Sequence, residues 1–217
     1  REQGFGFDMY QILPTSGATD FEFIAVPSWA VPASETGPLN LLVVSNYLSA
    51  SVAGSLASEA VVWRHSRSAW NPLLRSRAGA FNLWQTIPTI GANGLRSFVV
   101  PYQGVAAGQL LMLGIASRQS GEMDYEPASE LWAFVDGAFV PWQQFDNIYG
   151  VTGMTALTEG QEVHIVVSVA CDALCQSFAA ANSNSTQRRR ALLATGPSPI
   201  TTSTVLQWDQ RFGQLVF

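Results

Sequence analysis

Apolar residues in this chain gather into short runs separated by Gly, Pro and small polar residues, and nowhere do they recur with the capped helical period. Three runs are almost wholly aliphatic: "LNLLVVSNY" (39–47), "GQLLMLGIAS" (108–117) and "QEVHIVVSVA" (161–170). Bounded by turn-forming residues, each predicts a buried strand. Each is preceded by a second strand-like segment, "DFEFIAVP" (20–27), "GLRSFVVP" (94–101) and "GMTALTEG" (153–160). Each is followed by a third, "EAVVWRH" (59–65), "SELWAFVDG" (129–137) and "STVLQWDQ" (203–210), and closed by a fourth, "AFNLWQ" (80–85), "AFVPWQ" (138–143) and "GQLVF" (213–217). The pattern predicts an all-β chain built from units of four strands.

The units are marked by a repeated block, "YQILPTSGA" (10–18), "WQTIPTIGA" (84–92) and the degenerate "WQQFDNIYG" (142–150). Gln11, Gln85 and Gln143 align, which divides residues 1–217 into units at about 10–85, 85–143 and 143–217. Tandem four-stranded units are the sequence form of a β-propeller, in which each unit is a blade that buries its faces only against its neighbours. Propellers close with about four to eight blades. The chain is therefore expected to be three consecutive blades of a larger propeller whose remaining blades come from the parent chain. The block itself reads as the link between blades, with Pro88 ending a strand, Gly91 turning and Trp84 packing beneath. Trp63, Trp84, Trp132, Trp142 and Trp208 recur at repeat positions and are expected in the core, whereas Trp29 and Trp70 fall outside the pattern and are candidates for partner contact.

Composition narrows the function classes. With 47% hydrophobic and 12% charged residues the chain can bury a core, and a net charge of −5 gives no basic signal for nucleic acid. No apolar stretch has the roughly 18–20 residues of a membrane span, and residues 1–7 do not read as a signal peptide. Four insertions, at 29–38, 49–58, 71–79 and 171–202, interrupt the repeats. The last is long enough to be functional or disordered. It carries Cys171 and Cys175, expected to form a local disulfide with two free thiols as the alternative, and the acceptor triplet at Asn184 for N-glycosylation. Together these point to an extracellular or cell-surface protein. Arg188, Arg189 and Arg190 form the one run of charge, a contact candidate set against a solvated loop.

Catalytic motifs are not found: there is no nucleophile elbow, no paired-histidine metal helix and no phosphate loop. His65 and His164 are read as structural, His164 sharing a strand face with Val166 and Ser168 and expected between blades. Asp20 and Glu22 alternate onto one strand face, a carboxylate pair that could serve glycoside chemistry, and are read instead as solvated or lining the axis. The Trp208–Asp209 dipeptide is isolated and carries no repeat of its own.

The aromatic–Gln start, the "PTSGA" and "PTIGA" ends, the acidic–aromatic strand "DFEF" and the aliphatic strand ending "SNY" resemble the epilepsy-associated repeat, also called the EAR or EPTP repeat. The first unit matches best, the second well, and the third is degenerate. The resemblance implies a seven-bladed extracellular propeller that binds protein partners in adhesion and ligand–receptor roles. The family's acidic position falls on Asp20, Gly94 and Thr152. Asp20 is thus the one candidate ligand for an axial cation, and Ca²⁺ takes about six to eight oxygens, so no cofactor is expected. Three functions follow as expectations: a non-catalytic module for protein recognition or adhesion; a building block of an extracellular or cell-surface filament, such as one on an algal flagellum; and a sugar-active enzyme. The partner is a protein or further copies of the chain, with no nucleic acid and no membrane insertion.

Overall fold

The computed structural model describes residues 10–48, 57–67, 79–117, 129–145, 148, 150–159, 162–171 and 200–216, with only the backbone at 170, 171 and 200–203. Twelve strands and no helix lie among them. They form three four-stranded antiparallel sheets, each a meander in chain order. The first contains β1 (Ala18–Ala25), β2 (Asn40–Asn46), β3 (Ala57–Ser66) and β4 (Ala80–Ile90). The second contains β5 (Ala92–Pro101), β6 (Gln109–Ser117), β7 (Glu130–Val135) and β8 (Ala138–Gln144). The third contains β9 (Val151–Glu159), β10 (Glu162–Cys171), β11 (Ile200–Asp209) and β12 (Gln214–Val216). All twelve segments read from the sequence as strands are strands.

Side-chain alternation decides how the sheets stack. Ile24, Leu41, Val43, Val62 and Ile87 on one face of the first sheet meet Leu95, Leu113, Ile115, Trp132 and Phe134 of the second in one core. The opposite face of the second sheet, with Phe98, Leu110, Met112 and Leu131, meets Val163, Ile165, Val167 and Leu206 of the third in another. The middle sheet is thus covered on both sides. That is why β6 reads as an unbroken apolar run and is buried at every residue from Leu110 to Ser117. Trp63, Trp132 and Trp208 are buried as expected, while Trp84 and Trp142 are only half-buried at the margins of the two cores.

Two features of the last strands of the sheets differ from the sequence reading. Most of the "WQTIPTIGA" block is strand rather than link: β4 continues to Ile90, with Pro88 opposite Glu59. Proline is tolerated there because β4 is the edge of its sheet, where one side of the backbone needs no ladder partner. The turn itself is made by Gly91 alone. Gly91 (φ 58°), like its counterparts Gly17 (φ 64°) and Gly150 (φ 67°), lies in the left-handed region that disfavours any side chain. Secondly, a bulge interrupts the pairing of β3 with β4 between Val62–Gln85 and Trp63–Leu83, so Trp84 is an extra residue. An equivalent bulge makes Trp142 extra on β8. A bulge re-aims the side chains around it, and here it turns Trp84 and Gln85, then Trp142 and Gln143, toward the next sheet.

Candidate functional site

The repeated glutamines act at the junctions between sheets. Gln85 on β4 donates from Nε2 to the carbonyl of Phe139 on β8 at 2.7 Å and accepts from the Phe139 N–H at 2.9 Å. Gln143 on β8 grips Leu215 on β12 in the same way, at 3.2 and 2.8 Å. Gln11 grips Phe81 on β4, at 2.9 and 2.7 Å. A primary amide offers one donor edge and one acceptor, which matches the N–H and C=O that one residue on a sheet edge leaves unpaired. At the two junctions between described sheets the aromatic residue before the glutamine completes the latch: the indole N–H of Trp84 donates to the Gly137 carbonyl at 2.8 Å, and that of Trp142 donates to Gly213. Gly137 (φ 90°) and Gly213 (φ 63°) hold a backbone on which a Cβ would be strained and would come within 2.8 Å of Pro32 or 2.6 Å of Tyr102. Sequence reasoning saw the aromatic–Gln pairs but not their targets. The signal was present as "GAF" (79–81), "GAF" (137–139) and "GQL" (213–215) in step with them.

Asp20 and Glu22 have a related task at the first strands of the sheets. Asp20 accepts from the N–H of Phe21 and of Leu95, both at 2.8 Å. Glu22 accepts from the N–H and hydroxyl of Ser97 at 2.9 and 2.6 Å. The pair therefore does not stand solvated on its strand; it caps the free edge of β5. Each oxygen of Asp20 thus accepts one backbone donor, and among the described residues no group of three or more His, Cys, Asp or Glu converges to hold a cation. Counted from the turn glycines Gly17, Gly91 and Gly150, the repeat position falls three residues on, at Asp20, Gly94 and Gly153. Gly153 pairs with Ser168 as Gly94 pairs with Ala116, so Gly153 rather than Thr152 is the counterpart of Asp20. Thr152 instead matches Thr19: each hydroxyl meets a β2-type serine, Ser168 at 3.2 Å and Ser45 at 2.9 Å.

The candidate contact residues are spread out. The 29–38 insertion is fastened down rather than free: Ala30 and Val31 pack on the first core, Glu35 takes both guanidinium nitrogens of Arg64, and Arg64 stacks 5.0 Å over Trp84. Trp29 on its first turn remains 39% exposed. Trp70, Cys175, Asn184, Arg188, Arg189 and Arg190 lie outside the described residues, as do most of the other three insertions. Cys171 ends β10, and its pairing with Cys175 is likewise outside them. His65 is held by Tyr10 Oη at 3.3 Å and packs 5.0 Å from the Phe81 ring. His164 is half-buried, on the face of the third sheet turned away from the second. The Trp208–Asp209 pair is architectural. The indole N–H reaches the Pro101 carbonyl at 2.7 Å, and Arg211, bonded to Asp209, holds that carboxyl below the usual carboxylate range.

A groove of about 660 Å³ opens between β5 and β9, lined among others by Arg96, Gln103, Gln109, Ala156, Thr158 and Gln210. The β5–β6 turn closes one end, where the Gln103 N–H donates to the Gln210 carbonyl at 3.4 Å. Set against protein-family models and curated proteins, the chain matches none.

Proposed function

We propose that the three sheets are blades of a larger, seven-membered β-propeller of the EAR kind, and that this propeller is a non-catalytic extracellular module for protein recognition or adhesion. The observation that carries the reading is the latch. The same aromatic–Gln pair joins each sheet to the next, so the residues that recur are spent on stacking blades, and what differs between units is left for recognition. Loops carried on a rigid scaffold are where recognition concentrates. Trp29, an exposed aromatic on a loop that Arg64 and Glu35 brace, has the rigidity and amphipathic surface of an interface anchor. The experiment is saturable binding of the labelled full natural chain to the surface of cells that express its partners. Trp29→Ala should weaken binding about tenfold or more while leaving the melting temperature unchanged. Unsaturable binding, or binding indifferent to Trp29, would count against this surface.

A second reading, the filament building block, is favoured by the apolar faces at the two ends of the stack. Phe21 and Phe23 on the first sheet, and Leu157 and Val205 on the third, are exposed and belong to different surfaces. A head-to-tail contact between unlike surfaces propagates. Sedimentation separates the readings: a recognition module stays in the supernatant, and a filament component pellets.

A further inference from the structure

The junction between the first and second sheets serves as an internal template for the junction between the second and third. At the first, Leu95 and Ser97 of β5 turn their N–H groups away from β6, and carboxylates from the preceding sheet accept them. In an antiparallel ladder alternate residues present their N–H to the open side. The register gives Met154 and Ala156 of β9 the same setting, opposite Val167 and Ile165 as Leu95 and Ser97 stand opposite Ile115 and Leu113. The side chains that should cap them come from β5, but there Gly94 and Arg96 replace Asp20 and Glu22. A donor edge with two outward N–H groups therefore faces a guanidinium instead of carboxylates. Arg96 is 53% exposed, and its nearest acid, Glu22, lies at 4.0 Å, beyond hydrogen-bond range, with one carboxylate oxygen already held by Ser97. Arg96 and Ala156 both line the groove described above, whose rim adds the amides of Gln103, Gln109 and Gln210.

We propose that this groove binds a carboxylate carried by a protein partner, an Asp or Glu side chain that accepts from the Arg96 guanidinium and from the N–H of Ala156. The ligand takes the place at this junction that Glu22 holds at the previous one. Charge-assisted bonds from a guanidinium and from backbone donors are the strong class, and the flanking amides suit the polar backbone on either side of the acidic residue. The assignment of the carboxylate to a partner rests on the recognition reading; the carboxylate site itself does not.

The test uses the full natural chain and two small probes, N-acetyl-glutamate amide and N-acetyl-glutamine amide. The glutamate probe should slow hydrogen–deuterium exchange over residues 153–157, leave 95–97 unchanged because Glu22 already holds that edge, and bind about tenfold or more tightly than the glutamine probe. Arg96→Met should remove most of that preference and Arg96→Lys retain part of it, as expected for a charge that acts without a bidentate fork. Equal binding of the two probes, protection elsewhere, or undiminished preference in Arg96→Met would overturn the proposal. Those results would leave the Trp29-dependent surface binding standing, and loss of that binding would leave the probe result standing.

Discussion

At the residue scale, the glutamine amide explains a conserved-looking repeat that hydropathy treats as noise. A polar residue near the end of a strand reads as an exit into solvent, yet Gln85 is half-buried and spends both ends of its amide on Phe139. Removing it leaves an N–H and a C=O at the sheet margin without partners, and each such group costs about 1–3 kcal/mol when water cannot replace it. Because the site is half-buried, Gln85→Ala is expected to destabilise by the low end of that range, about 1–2 kcal/mol, measured by chemical denaturation. Gln85→Glu is the sharper probe. Its carboxylate can still accept from the Phe139 N–H but cannot donate to the Phe139 carbonyl, so it should not restore the parent stability at neutral pH. Restoration by Glu would show that the acceptor half alone carries the latch. The aromatic before each glutamine was legible as a recurring residue, but its placement was read one layer too deep. Trp84 sits at the margin of the core because the bulge turns it toward Gly137, and a bulge has no signature in apolar periodicity.

At the element scale, the strands were legible because each buried face writes an alternation or an aliphatic run into the chain, and β6 writes both faces at once. The pairing of the first strand of one sheet with side chains from the strand of another sheet was not legible. Asp20 and Glu22 alternate on β1, which shows only that they share a face; their partners Leu95 and Ser97 lie more than 70 residues away. β5, the first strand of its sheet, is an edge strand, whose unpaired backbone invites foreign pairing. Carboxylate capping closes that edge. Glu22→Ala is expected to cost about 1–3 kcal/mol, since it strips two hydrogen bonds to a charged acceptor, and to speed amide exchange at Ser97 more than at Leu95, which Asp20 retains. Equal acceleration at both amides would mean that the strand as a whole had come away and that Glu22 holds it by packing. The one-residue difference at Gly153 belongs to this scale too: the same bulge follows the turn glycine in all three sheets, so both the pairing and the count from Gly17, Gly91 and Gly150 put Gly153, not Thr152, at the position of Asp20.

At the scale of the whole molecule, the two cores are complete and the two end faces are not. The first sheet turns Phe21, Phe23 and Leu83 outward at 72%, 57% and 60% exposure. In the repeat register these positions correspond to Leu95, Ser97 and Pro141, on the face by which the second sheet packs on the first. Tyr10 and Gln11 already lie on β4 as Trp84 and Gln85 lie on β8: Gln11 holds Phe81, and Tyr10 stands over Gly79. On the propeller reading proposed above, this is the place that the last strand of one more sheet would take. Such a sheet would cover Phe21 and Phe23. An uncovered face of this kind exceeds what scattered surface apolar residues explain and favours association. The 217-residue stretch expressed alone is therefore expected to bind a hydrophobic dye and to self-associate with rising concentration. The double variant Phe21→Ser, Phe23→Thr should suppress both while the far-ultraviolet circular dichroism keeps its β signature, because neither residue belongs to a buried core. In the protein that carries the additional sheet the same two substitutions should do the opposite and destabilise it, each emptying part of a covered interface at a cost of about 2–5 kcal/mol. A parent stretch that stays monomeric and silent to dye, or a complete protein indifferent to Phe21 and Phe23, would show that this face meets solvent and that the stack ends at the first sheet.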